Sequence, residues 1–183
     1  MLRLATLDDV PELHALIEQS VRTLQAGDYS AKQIEGSLGT VFGVDQQLIR
    51  DQTYFVIEVA GKIAACGGWS KRKTLFGGDH ITAKDDALLD PVTDAARIRA
   101  FFVHPDSARQ GLGSQMLQAC ERAAVEAGFH SLELGATITG EPLYLKHGFE
   151  PTQRLEVPLP NGLILCIVHM TKSLIIERIL HRA

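Results

Sequence analysis

Residues 97–127 read RIRAFFVHPDSARQGLGSQMLQACERAAVEA, and this stretch decides the fold. Its first part, Ile98 to Val103, is apolar and rich in aromatic and β-branched side chains, which is typical of a β-strand. His104-Pro105 ends the strand because proline cannot donate a hydrogen bond to a neighbouring strand. From Leu112 onward the apolar residues recur at helical spacing. The stretch therefore predicts a strand, a glycine-bearing turn and an amphipathic helix.

The turn between this strand and helix has the chemistry of an anion site. The first turn of a helix leaves backbone N–H groups without internal partners and carries the positive end of the helix dipole. Gly111 and Gly113 would let an anion approach that backbone closely. Arg109 adds a positive charge and Ser114 a hydroxyl. A phosphate or pyrophosphate would fit there, although the same residues would also serve as a tight strand-to-helix turn.

Composition limits the class of protein. The chain has 183 residues, of which 45% are hydrophobic and 22% charged, as expected for one main globular domain. A net charge of −4 without a basic run gives no support for a nucleic-acid partner. No apolar run approaches the roughly 20 residues that span a bilayer, so no membrane association is expected. Asp8 and Asp9 stand where a signal peptide would be apolar.

The cysteines and histidines indicate the compartment and argue against a metal. Cys66, Cys120 and Cys166 are odd in number and each lies in an apolar segment. This pattern favours reduced, buried thiols in a cytoplasmic protein over a disulfide framework. Because the cysteines and histidines also lack zinc-site spacing, we expect no metal.

The chain before the central strand predicts two helices and a hairpin. A short strand at Leu2 to Ala5 precedes a helix that Thr6 or Asp8 caps and that runs to Leu24. A second helix begins after Ser30 and ends near Leu38. Residues 39–51 are ambiguous, with another turn or two of helix open at 44–50. Two strand runs, at 53–59 and 62–69, meet at a turn and predict a hairpin.

The chain after the central helix predicts a strand, a short helix and a second hairpin. The strand covers 131–136, and the helix has Pro142 near its first turn and Gly148 at its end. Two long strands, 149–159 and 163–171, flank Pro160-Asn161-Gly162, which is a strong hairpin signal. The tail, 173–183, predicts a short amphipathic helix that packs on its own domain or on a second subunit.

This order of elements predicts an α/β (α+β) fold. Only the central strand–helix–strand unit needs a parallel crossover, so the rest can pair as antiparallel hairpins. We expect a mixed, twisted central sheet of about seven strands with helices on both faces. Residues 71–95 form a long polar connection, with a short helical turn predicted around Lys84 to Leu88. Such a connection is either functional or an inert surface excursion.

The motifs, taken in order, resemble the GNAT acetyltransferase superfamily. Phe101-Phe102-Val103-His104-Pro105, the loop ARQGLGS at 108–114 and the long helix are similar to the family's acetyl-CoA motif. Tyr144, followed by three residues and then Gly148-Phe149, resembles its closing helix, and the last hairpin follows directly. The resemblance covers Leu2 to about Thr171, so we assign 1–172 to a GNAT domain and 173–183 to a helical tail. The loop departs from the family by having Ala108 where Gln or Arg is usual.

The resemblance implies a set of cofactor contacts for acetyl-CoA. The pantetheine arm would pair with the backbone of the central strand, and the pyrophosphate would lie on the amides of the glycine turn. Thr137 stands where the family commonly has asparagine and would contact the arm. The implied cofactor-binding residues are Phe101, Phe102, Val103, Arg109, Gln110, Gly111, Leu112, Gly113, Ser114 and Thr137. A break in the alternation at Arg97 to Phe101 suits the bulge that the family often has on this strand.

The same resemblance implies the catalytic group. Tyr144 resembles the family's general acid, which protonates the departing thiolate, although it could instead be a buried aromatic anchor. Many members carry a glutamate base on the central strand, where this chain has Arg97 and Arg99. His80, Asp85, Asp86 or ordered water could carry the proton away. Glu133 is expected to have a surface or inter-strand role.

The acceptor implied by the resemblance is a primary amine, with a small amine or amino-acid-like molecule as the default. The family builds its acceptor pocket from the first two helices and the last hairpin. The candidate residues are Tyr29, Gln33, Phe42, Arg97 and Arg99, of which the two arginines could attract a carboxylate. A protein N-terminus or lysine stays open as the acceptor, as does a homodimer.

Three functions are compatible with these features. The first is an acetyl-CoA-dependent N-acetyltransferase that works by direct attack in a ternary complex. The second is a catalytically silent acyl-CoA-binding regulatory domain, which the missing strand glutamate favours and Tyr144 disfavours. The third, a nucleotide-binding α/β protein, is weak because the glycine loop lacks a Walker lysine and an acidic ribose ligand.

Overall fold

A computed structural model of the protein describes residues 1–79 and 85–174. One seven-stranded sheet has the order β1-β2-β3-β4-β5-β7-β6. Its strands are β1 (Leu2–Leu4), β2 (Tyr54–Val59), β3 (Lys62–Ser70), β4 (Ala96–Val103), β5 (Ser131–Thr137), β6 (Glu150–Pro158) and β7 (Ile164–Ser173). Every neighbouring pair is antiparallel except β4 and β5, which are parallel. The mixed sheet with a single parallel crossover is therefore confirmed.

Helices cover both faces of the sheet, as predicted. They are α1 (Val10–Leu24), α2 (Ala31–Ser37), α3 (Gln46–Arg50), α4 (Leu112–Glu126) and α5 (Glu141–Lys146). One apolar core lies between the sheet and α1, α2 and α3, and it includes Leu13, Ile34 and Leu48. A second core lies under α4 and α5, where Leu117 and Tyr144 are buried. Burial of alternate strand residues in the two cores holds the layers together.

The predicted helix cap at Ser30 and the predicted glycine turns at Gly148 and Gly162 are present in the structure. Ser30 caps α2: its hydroxyl accepts a hydrogen bond from the Gln33 amide at 3.3 Å, and the Gln33 side chain accepts from the Ser30 amide at 3.0 Å. This reciprocal capping box satisfies two donors at the helix start. Gly148 ends α5 with φ 81°, and Gly162 turns the β6–β7 hairpin with φ 80°. Both are left-handed conformations, which glycine adopts without a Cβ penalty.

Two irregularities of β4 shape the centre of the sheet. β4 and β5 pair only at Ala96–Leu132 and Arg97–Glu133, although both strands continue well beyond these residues. The strands therefore diverge and leave one edge of β4 without a strand partner. On the other side, the β3–β4 register shifts between Cys66 and Gly68. Two residues of β4 face one of β3 there, which is the predicted bulge.

The structure decides or corrects three of the predicted segments. Residues 39–51 contain α3, a short helix that the sequence had left open. The helical turn predicted around Lys84 to Leu88 is wrong for its described part, because residues 85–87 are irregular and Leu88 forms a bridge with Arg72. The tail helix predicted from Ser173 begins too early, since Ser173 is the last residue of β7, and residues 175–183 lie outside the described part. Within the described ranges, no helix is both long and apolar enough to cross a bilayer.

Candidate active site

A cavity of about 710 Å³ occupies the opening between the diverging strands β4 and β5. Its walls combine residues from both sides of the sheet, such as Tyr144 of α5 on one side and Phe42 on the side of α1 to α3. The cavity therefore connects the two faces of the sheet at the point where backbone pairing stops. An elongated ligand could lie through it, and a second molecule could meet that ligand from the other face.

The α4 end of the cavity has the backbone geometry of an anion site. Arg109 and Gly111 adopt left-handed conformations with φ 63° and 85°. A left-handed non-glycine residue is strained, and such strain tends to be retained at functional sites. Leu112, Gly113 and Ser114 form the first turn of α4 and line the cavity together with Arg109 and Gly111. Gln110 instead turns its side chain back to donate to the Asp106 carbonyl at 3.0 Å.

The bulge on β4 places backbone groups at the middle of the cavity. Ala100 has φ 56°, and its carbonyl accepts a hydrogen bond from the buried Tyr54 hydroxyl at 3.0 Å. A Cβ at Gly67 would lie 2.3 Å from the ring of Phe101, so a glycine is required opposite the bulge. Phe101, Phe102 and Val103 all line the cavity.

Tyr144 of α5 lines the cavity from the side of α4. Its ring contacts Phe149 with centroids 5.7 Å apart and Phe101 with centroids 6.2 Å apart. Burial raises the pKa of the Tyr144 phenol, so the group stays protonated at neutral pH. Thr137 also lines the cavity, and its hydroxyl accepts from the Gly140 amide at 3.0 Å just before α5.

Cys66 of β3 brings a thiol to the cavity wall. The residue is only 1% exposed, and burial raises its pKa to about 12. A thiol is a nucleophile as its thiolate, which this environment suppresses. Cys66 is therefore positioned as an inert wall residue.

Two of the five predicted acceptor residues lie at the cavity. Phe42 lines it and packs edge-on against Phe102, with centroids 6.1 Å apart. Arg99 also lines it, but its guanidinium is committed to internal partners. The Arg99 Nη2 group lies 2.9 Å from an Asp45 carboxylate oxygen and donates to the Gly77 carbonyl at 2.5 Å. Arg99 thus holds the segment after β3 against the core.

The structure places the other three outside the cavity lining. The Tyr29 hydroxyl donates to the Cys166 carbonyl at 2.7 Å and accepts from the Ile138 amide at 2.9 Å. Gln33 takes part in the α2 cap and donates to the Ile164 carbonyl at 2.7 Å. Arg97 pairs with Glu133, which also contacts His169 at 2.7 Å. The Tyr29 and Gln33 contacts join the chain around α2 to β7 and the end of β5, and the Arg97–Glu133 pair joins β4 to β5.

The candidate bases do not reach the cavity as far as the structure describes them. Asp85 and Asp86 are exposed and are not among the cavity-lining residues. His80 lies outside the described residues. Within the described lining, the ionisable side chains are Cys66, Arg99, Arg109, Tyr144 and Lys146, without a carboxylate or an imidazole. The same described ranges contain no group of three or more His, Cys, Asp or Glu residues that could hold a metal.

Sequence reasoning missed the residues that close the other end of the cavity. Ser20 and Gln25 come from the last turns of α1, and Leu75 and Phe76 from the connection after β3. Leu75-Phe76 was at most a weak signal, since Leu88-Leu89 is a second apolar pair in the same connection. Phe76 also lies near β5, where a Cβ on Gly135 would be 3.6 Å from its ring. The sequence could not predict that Phe76 lies near β5, because this contact depends on how the whole sheet packs.

Solved structures that are similar to this chain include several described as N-acetyltransferases. A GCN5-related N-acetyltransferase from Rhodopseudomonas palustris superposes with a TM-score of 0.70 at 23% identity, covering 95% of each chain. The PaiA N-acetyltransferase from Thermoplasma acidophilum, in complex with coenzyme A, gives 0.64 at 12% identity over 94% of this chain and 98% of its own. The ribosomal-protein-S18-alanine N-acetyltransferase from Escherichia coli gives 0.59 at 18% identity over 100% and 99%. At these identities the likeness concerns the fold.

The fold and the cavity between diverging strands define the class as an acyltransferase of the N-acetyltransferase type. The family model described as an acetyltransferase (GNAT) domain matches residues 50–151, which is more than half of the chain. The chain therefore belongs to the GNAT acetyltransferase family. No curated protein sequence matches it.

Proposed function

We propose that the protein transfers an acetyl group from acetyl-CoA to the primary amine of a small molecule, by direct attack in a ternary complex. One observation carries the proposal. A single cavity joins the first turn of α4, the unpaired edge of β4 and the Tyr144 phenol. An acetyl thioester with a diphosphate at its far end needs these three features in this order.

The donor would lie along β4. Its diphosphate would accept hydrogen bonds from the amides of Arg109 to Ser114, with the charge of Arg109 nearby. Its pantetheine arm would pair with the backbone of Phe101 to Val103, as an added strand would. The residues present fit such a ligand, because the parallel partner of β4 has already diverged at this point. The PaiA relative with bound coenzyme A supports the same donor.

The chemistry follows from the groups around the thioester. The amine nitrogen attacks the acetyl carbon, and a backbone N–H of β4 near Val103 stabilises the negative charge on the carbonyl oxygen. As the carbon–sulfur bond breaks, Tyr144 donates its proton to the sulfur. The amine loses a proton through water, and that proton restores the phenol. Burial raises the pKa of the Tyr144 phenol, so the phenol holds its proton until the thiolate departs.

Direct attack is supported by the state of Cys66. A ping-pong reaction would need an acetylated enzyme nucleophile, and Cys66 is the one thiol in the described lining of the cavity. Burial raises the pKa of Cys66 to about 12, so the side chain stays a protonated thiol, which is a poor nucleophile. The cavity thiol is therefore not available as an acyl carrier, which favours direct attack by the acceptor.

A small acceptor is supported by the segment that covers the far end of the cavity. Leu75, Phe76 and Gly77 lie there, and Arg99 fixes Gly77 through its carbonyl. Phe42 adds an aromatic wall on the same side. We expect a small amine, rather than a polypeptide, to fit beneath this cover. A homodimer, a cytoplasmic location and the division at residue 172 stay predictions.

An acceptor screen followed by a Tyr144→Phe comparison tests the proposal. Release of free thiol from acetyl-CoA would be followed over a panel of small amines and peptides with free N-termini. With an accepted amine, Tyr144→Phe should lower kcat by about 10²–10⁴-fold, as for loss of a general acid. Its coenzyme A affinity should stay unchanged. Full turnover by this variant would remove Tyr144 from the mechanism, and binding without turnover over the whole panel would favour a silent acyl-CoA-binding domain.

A further inference from the structure

A side-chain hydrogen bond joins the end of α5 to the start of α4. His147 Nε2 lies 2.8 Å from the hydroxyl oxygen of Ser114. Ser114 is in the first turn of α4 and lines the cavity, whereas His147 follows the last residue of α5 and is not part of the lining. Both residues are half-buried. His147 therefore contacts the lining of the cavity through the Ser114 hydroxyl.

The contact belongs to a packed interface between the two helices. Leu143 and His147 are four residues apart, so they lie on the same face at the end of α5. Leu143 faces Gly113, where a Cβ would be 3.1 Å from its methyl group. His147 faces the next residue, Ser114. The interface therefore fixes the distance between the imidazole and the hydroxyl.

The direction of this hydrogen bond decides what Ser114 can offer to a ligand. A serine hydroxyl has one hydrogen to donate, and a phosphate oxygen can only accept. If Ser114 donated to His147, that hydrogen would be unavailable to an anion. If Nε2–H of His147 donates to the Ser114 oxygen, the hydroxyl hydrogen is free to point into the cavity.

We propose that His147 is a positioning residue for the diphosphate of the acetyl donor. It donates Nε2–H to Ser114 Oγ, and this orients the Ser114 hydroxyl toward a phosphate oxygen at the start of α4. The inference rests on the proposed function, since it needs a diphosphate at that place. In this proposal α5 acts on the acetyl donor at two places. Tyr144 serves the thioester, and His147 at the end of the helix helps to hold the diphosphate through Ser114.

Calorimetric titration with coenzyme A tests the role, with pantetheine as the probe that lacks the diphosphate. His147→Ala should weaken coenzyme A binding about three- to tenfold, the factor that one net hydrogen bond contributes. Pantetheine binding, followed by ligand-observed NMR, should not change. His147→Gln keeps an N–H donor near the position of Nε2 and should recover most of the affinity. A loss that is equal for coenzyme A and pantetheine, or that glutamine does not rescue, would overturn the inference.

A double-mutant cycle separates this role from simple charge attraction. In a Ser114→Ala background, His147→Ala should have no further effect on coenzyme A affinity, because its route to the phosphate is gone. Lys146→Ala is the matched control, since Lys146 lines the cavity itself and its effect should add to that of Ser114→Ala. Thermal unfolding of each variant verifies folding. If the effects of His147→Ala and Ser114→Ala on coenzyme A affinity add, this inference is wrong but the proposed function stands. If the wild-type protein binds no coenzyme A, the proposed function is wrong as well.

Discussion

Replacing Tyr29 by phenylalanine should destabilise the fold without acting on the acceptor. The residue is 4% exposed, and its hydroxyl bridges the Ile138 amide, just after β5, and the Cys166 carbonyl of β7. Phenylalanine keeps the ring in place but leaves both backbone groups without this partner. An unsatisfied buried polar group costs about 1–3 kcal/mol. Because Ile138 and Cys166 are half-buried and water can reach them in part, we expect a total loss of about 2 kcal/mol.

Urea unfolding near neutral pH measures this loss as a lower midpoint at an unchanged slope. Burial raises the pKa of Tyr29 to about 12, so the hydroxyl is protonated throughout such an experiment. Tyr144→Phe is the matched control, since the Tyr144 hydroxyl makes no hydrogen bond within residues 1–79 and 85–174. The control should change stability by less than about 0.5 kcal/mol. A Tyr29→Phe variant as stable as the wild type, with a raised KM for the acceptor, would refute this reasoning and return Tyr29 to the acceptor site.

Three further predictions concern the bulge, the thiol and the N-terminus. Gly67→Ala would place a Cβ 2.3 Å from the Phe101 ring. We therefore expect the free energy of unfolding in urea to fall by about 1–3 kcal/mol and coenzyme A to bind more weakly by calorimetry. Unchanged values for both would contradict the bulge geometry. Cys66→Ala should retain acetyl transfer, because burial keeps the thiol protonated. Mass spectrometry of the wild type incubated with acetyl-CoA should show no acetylated thiol. Loss of turnover in Cys66→Ala would contradict direct attack. The Arg3 guanidinium, 2.8 Å from both carboxylate oxygens of Asp9, lowers the pKa of that carboxyl to about 2. The pair therefore stabilises the fold by about 1–2 kcal/mol at neutral pH, and the contribution is lost as the pH falls from about 4 to 2. Asp9→Asn should show that loss near neutral pH and approach the wild type near pH 2, and a gap that persists in acid would count against the pair.

Much of the candidate site could be predicted because it consists of local backbone. The strand, the glycine turn and the start of α4 are contiguous, and each depends on interactions between near neighbours in the chain. The predicted cofactor residues therefore line one cavity, apart from Gln110. The acceptor residues were harder to predict because they come from distant parts of the chain. Polarity and position in the sequence could not show that Tyr29, Gln33 and Arg97 have polar partners within the fold.

By itself, the sequence determined the order of the seven strands, the cap of α2 and the two hairpins of this GNAT protein. Ser30 and Gly162 act through hydrogen bonds and backbone angles within a few residues, so local chemistry was sufficient. Only the tertiary structure decided that Arg99 pairs with Asp45 and that Phe76 closes the cavity. These contacts depend on which strands and loops become neighbours after folding. Their energies come from burial and pairing between segments that are far apart in the chain, and no local pattern records that arrangement.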